Sequence, residues 1–295
     1  MSEPATFSVV IPTYNEERNL GRLLKSIRNQ TGCTYSIMVA DQSSTDRTAD
    51  IARSFGCDVI QIPRPRFYSP PARSRNIGAR LAEGKILLQL DADMELGSID
   101  FLRKLEALID TSHQAAVIYE LDVASGFWAR CKALERSCYR GTQMEGARAS
   151  TRELFVKVGG YDEAISSGED FFITRLFEQH TNLARDESLL LRHHVGRGSL
   201  RSMLRKKFAY GRTANTYLCK AREVGAKSGP SIAWSSLRAY LRNWRLLGRQ
   251  PAHYLGIFPL RAMELAAIRL GMWVGPRLDA SPFQSEQQSS EIQGR

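Results

Sequence analysis

In the stretch LQLDADME, the apolar run Ile86-Leu-Leu-Gln-Leu90 leads directly into Asp91, Asp93 and Glu95. A buried strand ending in acids holds carboxylates at a fixed edge. In extended chain, successive residues point to opposite sides. A turn there lets one carboxylate of Asp91-x-Asp93 reach a metal and the other a sugar hydroxyl or a water. Mg²⁺ and Mn²⁺ prefer oxygen ligands, commonly one or two carboxylates plus substrate phosphates. A solvated acidic turn is the alternative. Asp41 and Thr13, at the ends of neighbouring strands, favour the metal site and leave Glu95 as a solvated turn residue.

A second acid pair, Glu169-Asp170, opens the helical stretch GEDFFITRLF (168–177). An acid at a helix start caps it, for about 1 kcal/mol. The same carboxylate can act as a general base. The two roles are compatible. His193 and His194 follow a strand-like run and precede a basic helix. Either could supply a metal ligand or a phosphate contact, or be structural. Arg201, Arg205, Lys206, Lys207 and Arg212 read as a solvated helix face.

Four short apolar runs must position these groups: FSVVIP (7–12), YSIMVA (35–40), CDVIQIP (57–63) and KILLQL (85–90). Each reads as a buried strand. Helical patterns alternate with them. In YNEERNLGRLLKSIRNQ (14–30), Leu20, Leu23, Leu24 and Ile27 share a face, and Asn15 is the expected N-cap with Glu16 and Glu17 in the first turn. STDRTADIARSFG (44–56) has Thr45 or Asp46 as cap and Gly56 as stop. PPARSRNIGARLAEG (70–84) has prolines at its start. This alternation predicts βαβ units and a mostly parallel sheet, with ligands beyond the carboxyl ends of the strands. Beyond residue 98 the pattern predicts a helix over 98–110, a strand over 114–121, a helix over 126–141 lying across the site and an extended 142–151. Residues 199–275 read as helical, with breaks near Gly225–Pro230 and Gly248–Pro251.

Three nucleotide and phosphate motifs are excluded. No GxGxxG follows the first strand. GARLAEGKI (78–86) has the wrong glycine spacing for a P-loop, Ile86 where a hydroxyl should bind magnesium, and a strand after it. Met94-Glu95 after the second acid do not suit an aspartyl-phosphatase loop.

The 295 residues carry a net charge of +10, unevenly distributed. Residues 1–196 hold 24 basic and 26 acidic residues, whereas 197–249 hold 13 basic residues and one acid, Glu223. Such a segment suits an anionic membrane surface, nucleic acid or an anionic substrate. No nucleic-acid recognition motif accompanies it, so nucleic acid is not expected. The apolar stretch 252–275 contains Arg261, Glu264 and Arg269, each costly in a bilayer centre, so it is not read as a span. Trp234, Trp244 and Trp273, with Arg238, Arg242, Arg245 and Arg249, suit a membrane interface. A helical cap on the preceding domain, or an oligomer contact, is the alternative. The five cysteines show no metal or CxxC spacing, and with no recognisable leader they predict a reducing cytosol and small buried hydrophobes. Residues 279–295 read as a disordered tail.

Four ordered motifs now stand together: FSVVIPTYNEERNL, IMVADQSSTDRT, ARSRNIGARLAEGKILLQLDADM and FVKVGGYDEAISSGEDFFITRLF. Over about residues 6–212 the chain resembles the family 2 glycosyltransferases of the GT-A fold. The resemblance implies an α/β fold, a Rossmann-like mostly parallel sheet flanked by helices. It implies a catalytic domain over 1–198, with a nucleotide-sugar half at about 6–97 and an acceptor half at about 98–198. A basic, amphipathic helical region follows over 199–278. The implied activity is metal-dependent, inverting transfer of a sugar from a nucleoside-diphosphate sugar to an acceptor hydroxyl, lipid-linked or on a glycan. By position, Thr13, Tyr14 and Glu16 would line the nucleotide site, and Asp41 would bond the base. Gln42 stands where many members carry a second acid. Arg75 and Asn76 would lie beside the nucleotide or diphosphate. Asp91 would contact ribose or metal, and Asp93 would bind Mn²⁺ or Mg²⁺. Asp170, with Glu169 adjacent, would be the base, and His193 or His194 the additional site histidine. The cysteine usage and the Trp/Arg-rich segment predict a cytoplasmic location, peripheral on the inner membrane face. A retaining transferase, a nucleotidyltransferase and a scaffold with an inactive site are the alternatives.

Overall fold

The computed structural model describes residues 5–64, 71–142, 145–224 and 238–275. The tail at 279–295, the break at Gly225–Pro230, Trp234 and most of the 63–71 loop lie outside them. The chain starts with β1 (Phe7–Thr13), α1 (Leu20–Arg28), β2 (Tyr35–Asp41), α2 (Thr48–Ser54), β3 (Asp58–Gln61), α3 (Pro71–Leu81) and β4 (Ile86–Gln89). It continues through β5 (Met94–Leu96), α4 (Phe101–Leu108), β6 (Ala115–Ala124), α5 (Phe127–Cys138), β7 (Ala147–Thr151), α6 (Arg152–Lys157), α7 (Glu169–Glu178) and β8 (Leu183–Gly196). The helical region comprises α8 (Leu200–Glu223), α9 (Trp244–Gly248) and α10 (Pro251–Val274).

The sheet order is β3-β2-β1-β4-β7-β6-β8-β5. The first four strands are parallel, joined by α1, α2 and α3, as the βαβ pattern predicts. The second half is mixed: β7 runs antiparallel to both β4 and β6, β8 parallel to β6, and β5 antiparallel to β8. The reversal brings the ends of β4 and β7 side by side. On one face Leu20, Leu23, Leu24 and Ile27 of α1 are fully buried with Val9, Ile11, Leu88 and Leu90. Each such side chain contributes about 1.5–3 kcal/mol relative to exposure.

Several local expectations change. Helix α1 begins at Leu20, not after Asn15. Asn15 has a left-handed backbone (φ 54), and its side chain accepts from the Thr45 amide at 2.9 Å. The Glu16 amide donates to Thr48 Oγ1 at 2.7 Å. The post-β1 segment is thus tied to the β2–α2 turn, which withholds it from the helix. Asp46 does serve α2, accepting from the Thr48 amide at 3.0 Å. Glu95 is no solvated turn residue: it lies on β5, paired with His194 and Arg192. Both histidines lie within β8 rather than after it. Cys57, Cys131 and Cys138 are buried as expected, but Cys219 is exposed.

The helical region packs on the sheet-bearing part of the chain through α5. Cys131, Leu134 and Cys138 of α5 meet Ile257 and Leu260 of α10, with Leu247 of α9 in the same cluster. Beside them lies a buried polar network. Glu135 and Glu264 share Lys132, at 3.0 Å each, and Arg261 bonds both acids. Helices α8 and α10 approach closely at Gly211 and Gly271. A Cβ on Gly211 would lie 2.1 Å from the Ile268 carbonyl oxygen, and one on Gly271 would lie 2.2 Å from that of Phe208. Gly211→Ala is therefore expected to cost about 1–3 kcal/mol through overpacking against rigid backbone. Gly248→Ala, with nothing within 4 Å of the new methyl, is expected to stay within about 1 kcal/mol. Urea unfolding of the two variants checks this; equal midpoints would refute the close crossing.

Candidate active site

Thr13 and Asp41 end the adjacent strands β1 and β2 in register. Thr13 Oγ1 donates to Asp41 Oδ1 at 2.8 Å, and the Ser44 hydroxyl donates to the same oxygen. Oδ2 accepts from the Ser44 amide at 3.0 Å and from Gln61 Nε2 at 2.9 Å. A carboxylate offers about four acceptor positions, so all are occupied within the protein. Asp41 is fully buried. Its structural effect is to set the rim formed by Thr13, Ser44 and Gln61. Tyr14 stands exposed beside this rim, with the Arg64 guanidinium 3.3 Å from its ring centroid. Asn76 turns away from the cleft. It donates to the Tyr161 carbonyl and accepts from the Tyr161 amide, at 2.8 and 2.9 Å, clamping the turn that leads to α7.

Arg75 is the central cation. It is 1% exposed, one turn into α3. One guanidinium nitrogen bonds Asp91; the other lies 3.2 Å from both Glu169 and Asp170. Gly168, at φ 84, turns the chain so that α7 opens on this acid pair. Arg148 from β7 is a second buried cation. Its guanidinium reaches Asp91 Oδ2 at 3.1 Å, Glu120 at 2.8 Å and Asp170 at 3.6 Å. Burial opposes ionisation of Asp91, but Arg148 and Arg75 outweigh it and hold its carboxyl well below the usual range. Each Asp91 oxygen thus carries an arginine, whereas Asp93 contacts neither guanidinium.

His193 Nε2 lies 3.2 Å from Asp93 Oδ2, and Nδ1 lies 3.1 Å from Asp122 Oδ1. Burial disfavours its charge, but the bonds to Asp122 and Asp93 raise its pKa to about 10. His194 points elsewhere, to Glu95 at 2.8 Å. His193 is thus the histidine that faces the site. The residues present suit a divalent cation, whose binding would displace the proton that His193 shares with Asp93. A carboxylate oxygen and an imidazole nitrogen about 3 Å apart match neighbouring ligands on an ion with bonds of about 2.1 Å. A ligating histidine usually gives its other nitrogen to a carboxylate, and Asp122 is so placed. Glu120, Asp122 and His193 also cluster closely enough to hold an ion. However, Arg136 and Arg148 already neutralise the two acids, so the Asp93 side is the better ion site. Burial raises the pKa of Glu16, and Asp93, Asp91 and Asp46 add to that effect, so Glu16 shares the acidic field.

Four residues of this cluster escaped the sequence reading: Glu120, Asp122, Arg136 and Arg148. The acids lie on β6, with no motif to mark them. Arg148 sits among small residues of β7, where a buried arginine in an apolar strand was the available signal. Lys206 on α8 also belongs here. Burial opposes its charge, yet Tyr210, Asp93 and Asp91 raise its pKa. It lines a cleft of about 560 Å³ with Arg201, Arg205 and Tyr210.

Burial, then repulsion from Asp170, raises the pKa of Glu169, against the pull of Arg75. A carboxyl whose folded pKa lies above the unfolded 4.5 destabilises the fold at neutral pH, and this cost vanishes once both states are protonated. Glu169→Gln is therefore expected to raise the urea midpoint at pH 7 and to give a smaller gain at pH 4. A lower midpoint at pH 7 would show that the ion pair with Arg75 outweighs burial.

Comparison with known proteins places this geometry. A 27% identical, uncharacterised glycosyltransferase of Haemophilus influenzae aligns over 58% of this chain and 62% of its own length. The poly(ribitol-phosphate) β-N-acetylglucosaminyltransferase TarS of Staphylococcus aureus is 23% identical over 69% of this chain, but over only 35% of its own length. The chain thus spans less than two thirds of these relatives. Among solved structures, the mannosyltransferase PcManGT of Pyrobaculum calidifontis, in complex with GDP-Man and Mn²⁺, is 17% identical and superposes with a TM-score of 0.63, covering 92% of this chain and 88% of that one. That likeness confirms the GT-A fold with an appended helical region. The family model described as glycosyl transferase family 2 matches residues 8–208, more than half of the chain, and the protein belongs to that family.

Proposed function

We propose that this chain is a divalent-metal-dependent, inverting glycosyltransferase that moves a sugar from a nucleoside-diphosphate sugar to an acceptor hydroxyl. One observation carries the reading: Asp91 after β4 and both acids at the start of α7 are held 3.2 Å or less from a single buried arginine. Donor and acceptor chemistry would then meet in one cleft. Membership of the family supports the same reaction class.

The donor half of the cleft is assigned to the β1–β2 rim. Thr13, Gln61 and Ser44 shape it, and Tyr14 with Arg64 offers a flat face for a base. Asp93 and His193 would hold Mn²⁺ or Mg²⁺, which supplies Lewis-acid neutralisation of the departing diphosphate. Lys206 adds positive charge to the diphosphate side. Asp170 is assigned as the base that takes the proton of the attacking hydroxyl, while Arg75 and Arg148 fix its position. Burial and the neighbouring Asp170 raise the pKa of Glu169, which favours proton uptake there. Glu169 is accordingly the second candidate. The acceptor is assigned as lipid-linked or a membrane-proximal glycan, on the strength of the basic segment 197–249.

A hydrolysis screen of nucleotide sugars with Mn²⁺ and Mg²⁺ tests the donor class without an acceptor. Turnover of none, together with no calorimetric binding, overturns the proposal. Once an acceptor is found, Asp170→Asn is expected to lower transfer by roughly 10²–10⁴-fold with donor binding retained. If Glu169→Gln shows that loss and Asp170→Asn does not, the base is Glu169. Asp93→Ala is expected to lose metal-dependent donor binding in calorimetry. Retention of the anomeric configuration in the product would exclude single displacement.

A further inference from the structure

Helix α10 is inverted relative to a water-facing helix. Its 24 residues extend roughly 36 Å. Two of its three charged residues, Arg261 and Glu264, turn inward to Lys132 and Glu135 of α5, and Glu264 is 1% exposed. The outward side carries the exposed Arg269 and is otherwise apolar. Leu255 (66% exposed), Phe258 (50%), Leu265 (54%), Leu270 (52%), Trp273 (84%) and Val274 (49%) lie on it. Among the described residues, nothing covers them. A surface helix normally shows the opposite pattern, and a continuous exposed apolar strip marks an interaction surface.

The charge of the neighbouring chain identifies the partner. Immediately before α10, exposed Leu241 and Trp244 alternate with exposed Arg242, Arg245 and Arg249. They belong to the segment with 13 basic residues and one acid. A second copy docking here would bring the same positive charge against itself. An anionic lipid surface would neutralise it and accept the apolar side chains. The opposite face of α10 is packed on α5 and α8, and no helix among the described residues is long and apolar enough to cross a membrane. The helix therefore has the character of one that lies in an interface rather than spanning it.

We propose that α10 beds its outward face into the headgroup layer of an anionic bilayer, with Arg242, Arg245 and Arg249 on lipid phosphates. This deepens the reading of a membrane-proximal acceptor, but it rests on the fold and surface alone, not on the transfer chemistry.

The full chain is sedimented at low salt with phosphatidylglycerol–phosphatidylcholine vesicles and with phosphatidylcholine vesicles alone. Strong partition to the anionic vesicles and little to the others is expected. Leu265→Glu combined with Trp273→Glu should lower that partition by roughly a hundredfold or more. Arg242→Ala, Arg245→Ala and Arg249→Ala together should lower it by roughly tenfold to a hundredfold. Brominated lipids should quench the tryptophan fluorescence of the wild type. All five substitutions are at exposed or half-exposed positions, and unchanged thermal unfolding confirms that the variants fold. Equal partition of wild type and the double variant, or sedimentation without quenching, overturns the proposal. So does a vesicle-free dimer that Leu265→Glu with Trp273→Glu makes monomeric, since the face would then be a self-contact. Donor hydrolysis measured without vesicles separates the two readings. A chain that binds vesicles but turns over no donor fails the transfer proposal alone. One that turns over donor but ignores vesicles fails this proposal alone.

Discussion

Burying the Arg75 guanidinium is the constraint on which the site depends. A charge removed from water is tolerable only with close counter-charges and hydrogen bonds. Arg75 finds them on Asp91 after β4 and on Glu169 and Asp170 at the start of α7. These segments are about 80 residues apart in sequence. One side chain of α3 thus joins the parallel half of the sheet to the mixed half. Arg148 repeats the joint from β7. Removing the shared cation from such a buried set typically costs about 3–5 kcal/mol, because the acids around it lose their compensation. The cleft is therefore held in shape by the same acids that the proposed chemistry uses.

That arrangement also divides labour among the carboxylates. Asp91 is committed to two arginines and stays ionised well below the usual range. Glu169, buried and beside Asp170, is pushed the other way. Asp93 keeps an open side and an imidazole neighbour. Acids of the same chemical type thus acquire different tasks from their surroundings alone.

Helix α5 connects this cleft to the helical region. Arg136 points to Glu120 and Asp122 behind His193, while Lys132 and Glu135, one turn earlier and one residue before, point to α10. A helix can serve two sides because its residues wind through 100° each. Arg261 and Glu264 of α10 are consequently consumed inside the protein. This is why its outer face carries a single charge, Arg269, among apolar residues.

The local pattern of the chain already determined the first four strands, the helices between them and the acid pairs at Asp91–Asp93 and Glu169–Asp170. Those features depend on neighbours within a few residues: apolar runs, caps and stops, and acids placed just beyond a buried strand. The α1 start was misread because the post-β1 segment bonds across to Thr45 and Thr48, about 30 residues away. Glu95 was misread because its strand partner is β8, nearly 100 residues later. Which histidine faces the cleft, why Asp91 holds two arginines, and the presence of Glu120, Asp122, Arg136 and Arg148 were decided by tertiary structure. Each depends on strand order in the mixed half of the sheet and on helices that return over it. A side chain's type can be read from the sequence, but its charge state and direction belong to the groups that folding brings against it.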